Sequence, residues 1–207
     1  MERASLKLFQ IVIASKNMHK IRELKSILIK LLPNIDVLSL LDFPSYIPKE
    51  EVENSFEGNA IAKAVDAAKE LNCWVLADDS GLVVPALNGE PGIFSARYAG
   101  KNASDKENRK KLLSKLENIK EENRNAFFKC CIAIASPEGL KKSACASVEG
   151  TILKEERGGD GFGYDPLFMK HDYNKTFAEL SDSIKNKISH RRKAIDKILH
   201  VLESVSK

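Results

Sequence analysis

The sequence predicts an α/β or α+β protein with two lobes and a cleft between them. Three observations point there. Short apolar runs alternate with stretches of helical spacing in the first half of the chain. Two long strand-like runs flank the turn "PEG". A glycine-rich aromatic loop, "GGDGFGYDPLF" (residues 158–168), follows them.

"LFQIVIAS" (residues 8–15) has the length and β-branched content of a short buried strand, and Ile21, Leu24, Leu28 and Leu31 then recur at helical spacing until Pro33. Residues 34–53 look irregular, with prolines and a run of acids. A second helix is expected from about Phe56 to Leu71, with Ile61, Ala64, Ala68 and Leu71 on one side. "WVLA" is a strand that leads into "DDSG", and "LVVPAL" is a short strand or turn. "NGEPGIFSARYAG" is a loop by its Gly and Pro content. Ser104 and Glu107 have capping-box spacing, which starts a helix carrying Leu112, Leu113 and Leu116. "AFFKCCIAIAS" and residues 140–153 form a long antiparallel hairpin. Ile195, Ile198, Leu199 and Leu202 mark a C-terminal helix.

The 207 residues suit one domain over 1–207, with ample apolar content for a core. A net charge of +4 suits an anionic ligand. It lacks the concentrated basic stripe of a dedicated nucleic-acid binder, and no nucleic-acid partner is expected. The four cysteines form no CxxC pair, so a zinc site is not indicated. Cys130 and Cys131 sit in an apolar run and are expected as small buried thiols, which favours a reducing, cytoplasmic setting. No signal peptide is visible, and "IVIA" is too short for a membrane span.

Four polar clusters interrupt these elements. "SKNMHK" (residues 15–20) follows the first strand and brings amides and the Lys20 ammonium to a helix start, an anion site; the plainer alternative is an N-cap by Asn17. "ADDSG" puts Asp78 and Asp79 at a strand end, where paired carboxylates need a cationic partner such as a hard divalent ion. On a continuing strand their side chains would face opposite ways; the alternative is an Asx turn. Glu50, Glu51, Glu53 and Glu57 offer further carboxylates, though charge runs are mostly solvated. In "KNKISHRRK", Ser189 as N-cap puts His190 and Arg191 in a first helical turn, where cations oppose the dipole and so mark a site. The glycine-rich loop reads as a base holder: its backbone can approach a ring closely, and Phe162 or Tyr164 can lie against its face.

In this order, "SKNMHK", "ENSFEGNAIAKA", "ADDSGLVVPALNGEPGIFSARYAG", "GGDGFGYDPLF" and "KNKISHR" resemble the inosine triphosphate pyrophosphatase family, over nearly the whole chain. The resemblance implies an elongated two-lobed α/β fold around a mixed twisted sheet, assembled as a homodimer. It implies Mg²⁺-dependent hydrolysis of abnormal purine nucleoside triphosphates (ITP, dITP, XTP) to the monophosphate and pyrophosphate, cleansing the nucleotide pool. By position, Ser15, Lys16, Asn17, Met18, His19, Lys20 and Ser80 would bind substrate. Phe162, Gly163, Tyr164 and Asp165 would form the nucleoside pocket, completed by Lys185, His190 and Arg191. Asp79 would be the catalytic acid and a magnesium ligand, and Glu51 matches a further metal position.

Two departures stand out. Lys16 takes a place where bacterial relatives often carry Gly. Gly58-Asn59-Ala60 stands where "ENA" is usual, with Glu57 one place earlier, which leaves the supporting metal ligand open.

Positioning and metal electrostatics should matter more than proton abstraction by a weakly basic Asp. Donors such as His190 or Arg191 would pair with a 6-carbonyl and reject adenine. Three alternatives are a Maf-type pyrophosphatase acting on pyrimidine or modified nucleotides, a nucleic-acid-binding module built on "HRRK", and a nucleotide sensor without turnover.

Overall fold

The computed structural model describes residues 8–50 and 52–206. Strand β1 (Phe9–Ile13) is followed by helix α1 (Met18–Leu31), strand β2 (Ile35–Ser39), helix α2 (Phe56–Leu71) and strand β3 (Val75–Val83). Helix α3 (Asp105–Lys115) precedes the hairpin strands β4 (Asn125–Ser136) and β5 (Gly139–Ile152). Two short strands, β6 (Phe168–Lys170) and β7 (Lys175–Thr176), then lead to helices α4 (Asp182–Ile188) and α5 (His190–Val205).

All seven strands form one mixed sheet in the order β2-β1-β3-β4-β5-β6-β7. β1 runs parallel to β2 and β3, and every later pairing is antiparallel. This is the α/β class that the alternation of runs predicts. The apolar stripe of α1 (Ile21, Leu24, Ile27, Leu28) and that of α5 (Ala194, Ile195, Ile198, Leu202) cover one face, packing on Ile11, Leu76 and Ile132. On the opposite face α2 presents a stripe of small residues, Ala60, Ala64, Ala67 and Ala68, against Val12, Ala77 and Ala133, with Phe56 at its start. Alanine there lets helix and sheet approach closely. A third cluster, with Phe128, Phe168 and Phe177 at 4.7–5.8 Å between ring centroids, fills the β5–β6 end.

Asn17 Oδ1 accepts from His19 N and Lys20 N, as the sequence indicates, and Ser55, not read as a cap there, caps α2. Ser104 and Glu107 close a reciprocal capping box on α3. Ser189 Oγ accepts from Arg192 N at the head of α5.

Three expectations are corrected. The supposedly irregular residues 34–53 contain β2, in which Ile35, Val37 and Ser39 are buried in alternation; five residues of period two are easily masked by the prolines and acids that follow. The strand bearing "WVLA" does not stop at the aspartates. It runs on to Val83 because β4 pairs with it at every position from Val75↔Ala135 to Val83↔Phe127. Finally, Cys131 is not a free thiol. It lies directly across from Cys145 in the β4–β5 register and is joined to it by a disulfide, while Cys130 stays a buried thiol. That pairing removes the support that free thiols gave to a reducing compartment. No helix among the described residues is long and apolar enough to cross a membrane.

Gly81 shows how tightly the segment after β3 folds back. A methyl group on it would lie 2.4 Å from both Gly92 O and Ser95 Oγ, too close to be absorbed by a rotamer change. Gly81→Ala is expected to cost about 1–3 kcal/mol by overpacking, read as a lower urea midpoint at unchanged slope.

Candidate active site

Because β3 continues through the aspartates, consecutive side chains leave the sheet on opposite faces. Asp78 points toward α1 and α5. Its Oδ1 lies 3.3 Å from Lys20 Nζ, and its Oδ2 accepts from Ser80 Oγ at 2.8 Å and Arg191 Nε at 3.3 Å. Burial alone would push this carboxyl up. The ammonium of Lys20 and the guanidinium of Arg191, with Lys63 nearby, overcome burial and hold it far below the usual carboxylate range.

Asp79 points toward α2. Its Oδ2 accepts from Asn59 Nδ2 at 3.0 Å, and its Oδ1 lies 3.3 Å from Lys63 Nζ, which also donates to Asp78 O at 2.8 Å. Asn59 and Lys63 are four apart on α2, so one helix face delivers both. Neither was given a role from the sequence, although both lie within "ENSFEGNAIAKA" and are polar members of an alanine-rich face.

A buried ionic web lies behind Asp78. Arg191 Nη1 donates to Glu23 Oε2 at 2.7 Å and Nη2 to Ser80 Oγ at 2.8 Å. Lys185 Nζ sits 2.5 Å from both Glu23 Oε1 and Asp165 Oδ2. Burial would lower the Lys185 ammonium, but the two carboxylates raise it above its ordinary value. Burial likewise works against the Glu23 carboxylate, and Arg191 and Lys185 outweigh it. Sequence reasoning missed Glu23; the available signal was its place three residues after Lys20 on α1, on the same side of the helix. His190 stacks on Phe128 with centroids 4.9 Å apart. Burial, and then Arg191 and Lys185, depress it far below the usual imidazole range, so it is neutral, and its Nδ1 has no hydrogen-bond partner.

These groups face two adjoining cavities. One cleft is lined by Asn17, Lys20, Asp79 and Ser80, together with Phe162, Gly163, Tyr164, Asp165, His190 and Arg191. The second cavity shares Asn17 and Lys20, and adds Ser15 with Lys16, Lys49 and Lys63. One end is therefore aromatic and the other cationic. Ser95, Asp105 and Phe128, none singled out in the sequence, complete the aromatic end.

Some expected residues sit elsewhere. Met18 is exposed on the first turn of α1 and lines neither cavity. His19 lies outside both and stacks on Phe162, centroids 5.0 Å apart and nearly parallel. Lys185 is buried behind Asp165 and does not line the cleft. Tyr164 is a fixed wall, with its hydroxyl donating to Ser95 O at 2.9 Å. The two amides at the head of α1 are already taken by Asn17, so lysines supply most of the attraction for an anion. Of the acids between 50 and 57, Glu57 accepts from Ser143 Oγ on β5 and Glu50 pairs with Lys101 at the surface. Glu51 lies outside the described residues.

A model of the Ham1 family matches residues 11–201. The chain is 53% identical over 197 residues to the dITP/XTP pyrophosphatase of Protochlamydia amoebophila, covering 95% of this chain and 98% of that protein. The protein of the same name from Chlamydia abortus is 51% identical, with 95% of each chain covered. Among solved structures, the Staphylococcus aureus Ham1 protein superposes with a TM-score of 0.82 at 46% identity, covering 94% of this chain and 98% of the other. A Coxiella burnetii HAM1 protein gives 0.84 at 41% identity, covering 95% of this chain and 100% of the other. With near-complete coverage in sequence and in structure, this chain belongs to the Ham1 family.

Proposed function

We propose that the protein hydrolyses abnormal purine nucleoside triphosphates, dITP, ITP and XTP, to the nucleoside monophosphate and pyrophosphate. The observation that carries this is the polarity of the paired cavities: an aromatic cleft, with Asp79 on its wall, adjoins a lysine-rich one. The dITP/XTP pyrophosphatases at about half identity support it, and nothing favours the Maf-type alternative.

The base would enter beside Phe162. Arg191 already donates from Nε and from each terminal nitrogen to Asp78, Glu23 and Ser80, which fixes its plane, and neutral His190 beside it is the partner we assign to a purine 6-carbonyl. Adenine would bring an amino donor to that place, and a site built on hydrogen bonds can reject such a mismatch by ~10⁴-fold. The tail would lie among Lys16, Lys20 and Lys63, which hold it in line for attack by water at the α-phosphorus.

We include Mg²⁺ in this reading. No three His, Cys, Asp or Glu side chains among the described residues are grouped to hold a metal ion, so an all-protein cage is not offered. One carboxylate on the cleft wall is nevertheless what Mg²⁺ takes when substrate phosphates and water fill its other positions, and Asp79 fits. When bound, the ion would neutralise phosphate charge as pyrophosphate departs. Asn59 and Lys63 fix the Asp79 carboxylate, and Lys20 is held beside Asp78 at the join of the two cavities. A homodimer and a cytoplasmic setting, where nucleoside triphosphates are made, complete the reading.

The test is pyrophosphate release across a nucleotide panel with and without Mg²⁺. Release from dITP and XTP should exceed that from dATP and dGTP by at least about 10²-fold and should stop with chelator. Preference for dTTP or UTP would overturn the assignment.

A further inference from the structure

The glycine-rich loop has little of its own to hold it in place. Gly158, Gly161 and Gly163 have φ of 83°, 76° and 60°, a region that glycine occupies without strain and in which it confers the least rigidity. Yet Phe162 has a defined position, with its ring 5.0 Å from His19, 4.9 Å from Lys185 Nζ and 5.3 Å from Arg191 Cζ. Inside the loop, the Phe162 amide donates to the Asp165 carboxylate at 2.9 Å and the Phe162 carbonyl accepts from Asp165 N at 3.1 Å.

At Gly163 itself the restraint comes from α3. Asp105 Oδ2 accepts from Gly163 N at 2.7 Å, and Arg109 Nη1 donates to Gly163 O at 2.8 Å. The two peptide units flanking Gly163 are thus gripped from one helix. Both bonds are charge-assisted. Asp105 and Arg109 are four apart and share a helix face. The capping box of Ser104 and Glu107 fixes where that helix starts. Arg109 is in turn held by Glu156, with Nε and Nη2 on the two carboxylate oxygens at 2.8 and 3.1 Å.

We propose that Asp105 and Arg109 are positioning residues that clasp Gly163 and so set Phe162 for the incoming base. The clasp deepens the reading of the cleft as a base pocket and rests on it. Its action is on binding, because neither residue reaches the Asp79 end.

The experiment compares Asp105→Ala, Arg109→Ala, Asp105→Asn and Glu156→Gln on full-length protein. KM for dITP should rise about tenfold in the two alanine variants, the loss of one charge-assisted hydrogen bond, with kcat within twofold of wild type. Asp105→Asn keeps an acceptor oxygen and should recover most of the loss. Glu156→Gln perturbs the salt bridge but leaves the Gly163 bonds, and should keep wild-type KM. Amide hydrogen exchange over residues 161–164 should accelerate in the alanine variants while β4 stays protected. Unchanged exchange in that loop overturns the clasp, as does a fall in kcat at constant KM. If wild-type protein does not turn over dITP, the proposed function fails, and loop exchange alone then decides the clasp.

Discussion

Asp79→Asn is expected to lower kcat for dITP about 10³-fold, the upper range for removing one preorganised electrostatic group from an active site. Asparagine has nearly the shape of aspartate, and its side-chain oxygen can still accept from Asn59 Nδ2, which now lies 3.0 Å away. What disappears is the negative charge. Without it the first cleft loses the carboxylate offered to the metal, and Lys63 loses a counter-charge. Substrate affinity should therefore change far less than turnover, since more cationic surroundings still hold a triphosphate. The Mg²⁺ concentration giving half-maximal rate should rise in parallel, and the circular dichroism melt should stay close to wild type. Turnover within twofold of wild type would take the catalytic role away from Asp79.

Much of this arrangement was legible along the chain. The bounds of α2, the capping box of α3 and the hairpin around "PEG" follow from local chemistry: apolar residues at helical spacing, a reciprocal Ser–Glu pair, and two β-rich runs about a turn. Interactions that join distant positions were much less legible. Asp78 and Asp79 look like a strand end because adjacent carboxylates are unfavourable inside a sheet. They persist in β3 because Lys20, Lys63 and Arg191 arrive from three different helices. Glu23 and Arg191 are 168 positions apart, and only the packing of α1 beside α5 makes them neighbours. The Cys131–Cys145 pair lies within one hairpin, but the bulge between Ile134 and Ala135 sets the register that puts the two opposite each other, and that bulge was not legible. Lys185 was marked as a site residue from its motif, but its burial behind the cleft depends on the fold of α4 against α1.

That burial sets up the largest expected effect on stability. Lys185 is 2% exposed and is shared by the carboxylates of Glu23 and Asp165. Lys185→Met keeps the length of the stem and removes the ammonium, leaving two buried carboxylates with one fewer cation. Breaking a buried pair from one side costs about 3–5 kcal/mol, so the urea-derived stability at pH 7 should fall by that amount. The pH dependence separates lost charge from lost packing. In the wild type, Glu23 is held below its ordinary value, so its contribution is complete above the unfolded carboxylate range near ~4.3 and is lost as pH falls through the folded value. In the variant the sign reverses. Burial, which already pushes Asp165 up against the pull of Lys185, acts with less opposition, so the folded carboxyls titrate above their unfolded values. The penalty is then present at neutral pH and shrinks as acid protonates them. On acidification from pH 7 to pH 4 the variant should gain more stability than the wild type, whose Glu23 contribution is lost only below that range, so the gap should narrow. Parallel stability curves would show that the lysine matters there for its volume, with its charge playing no part.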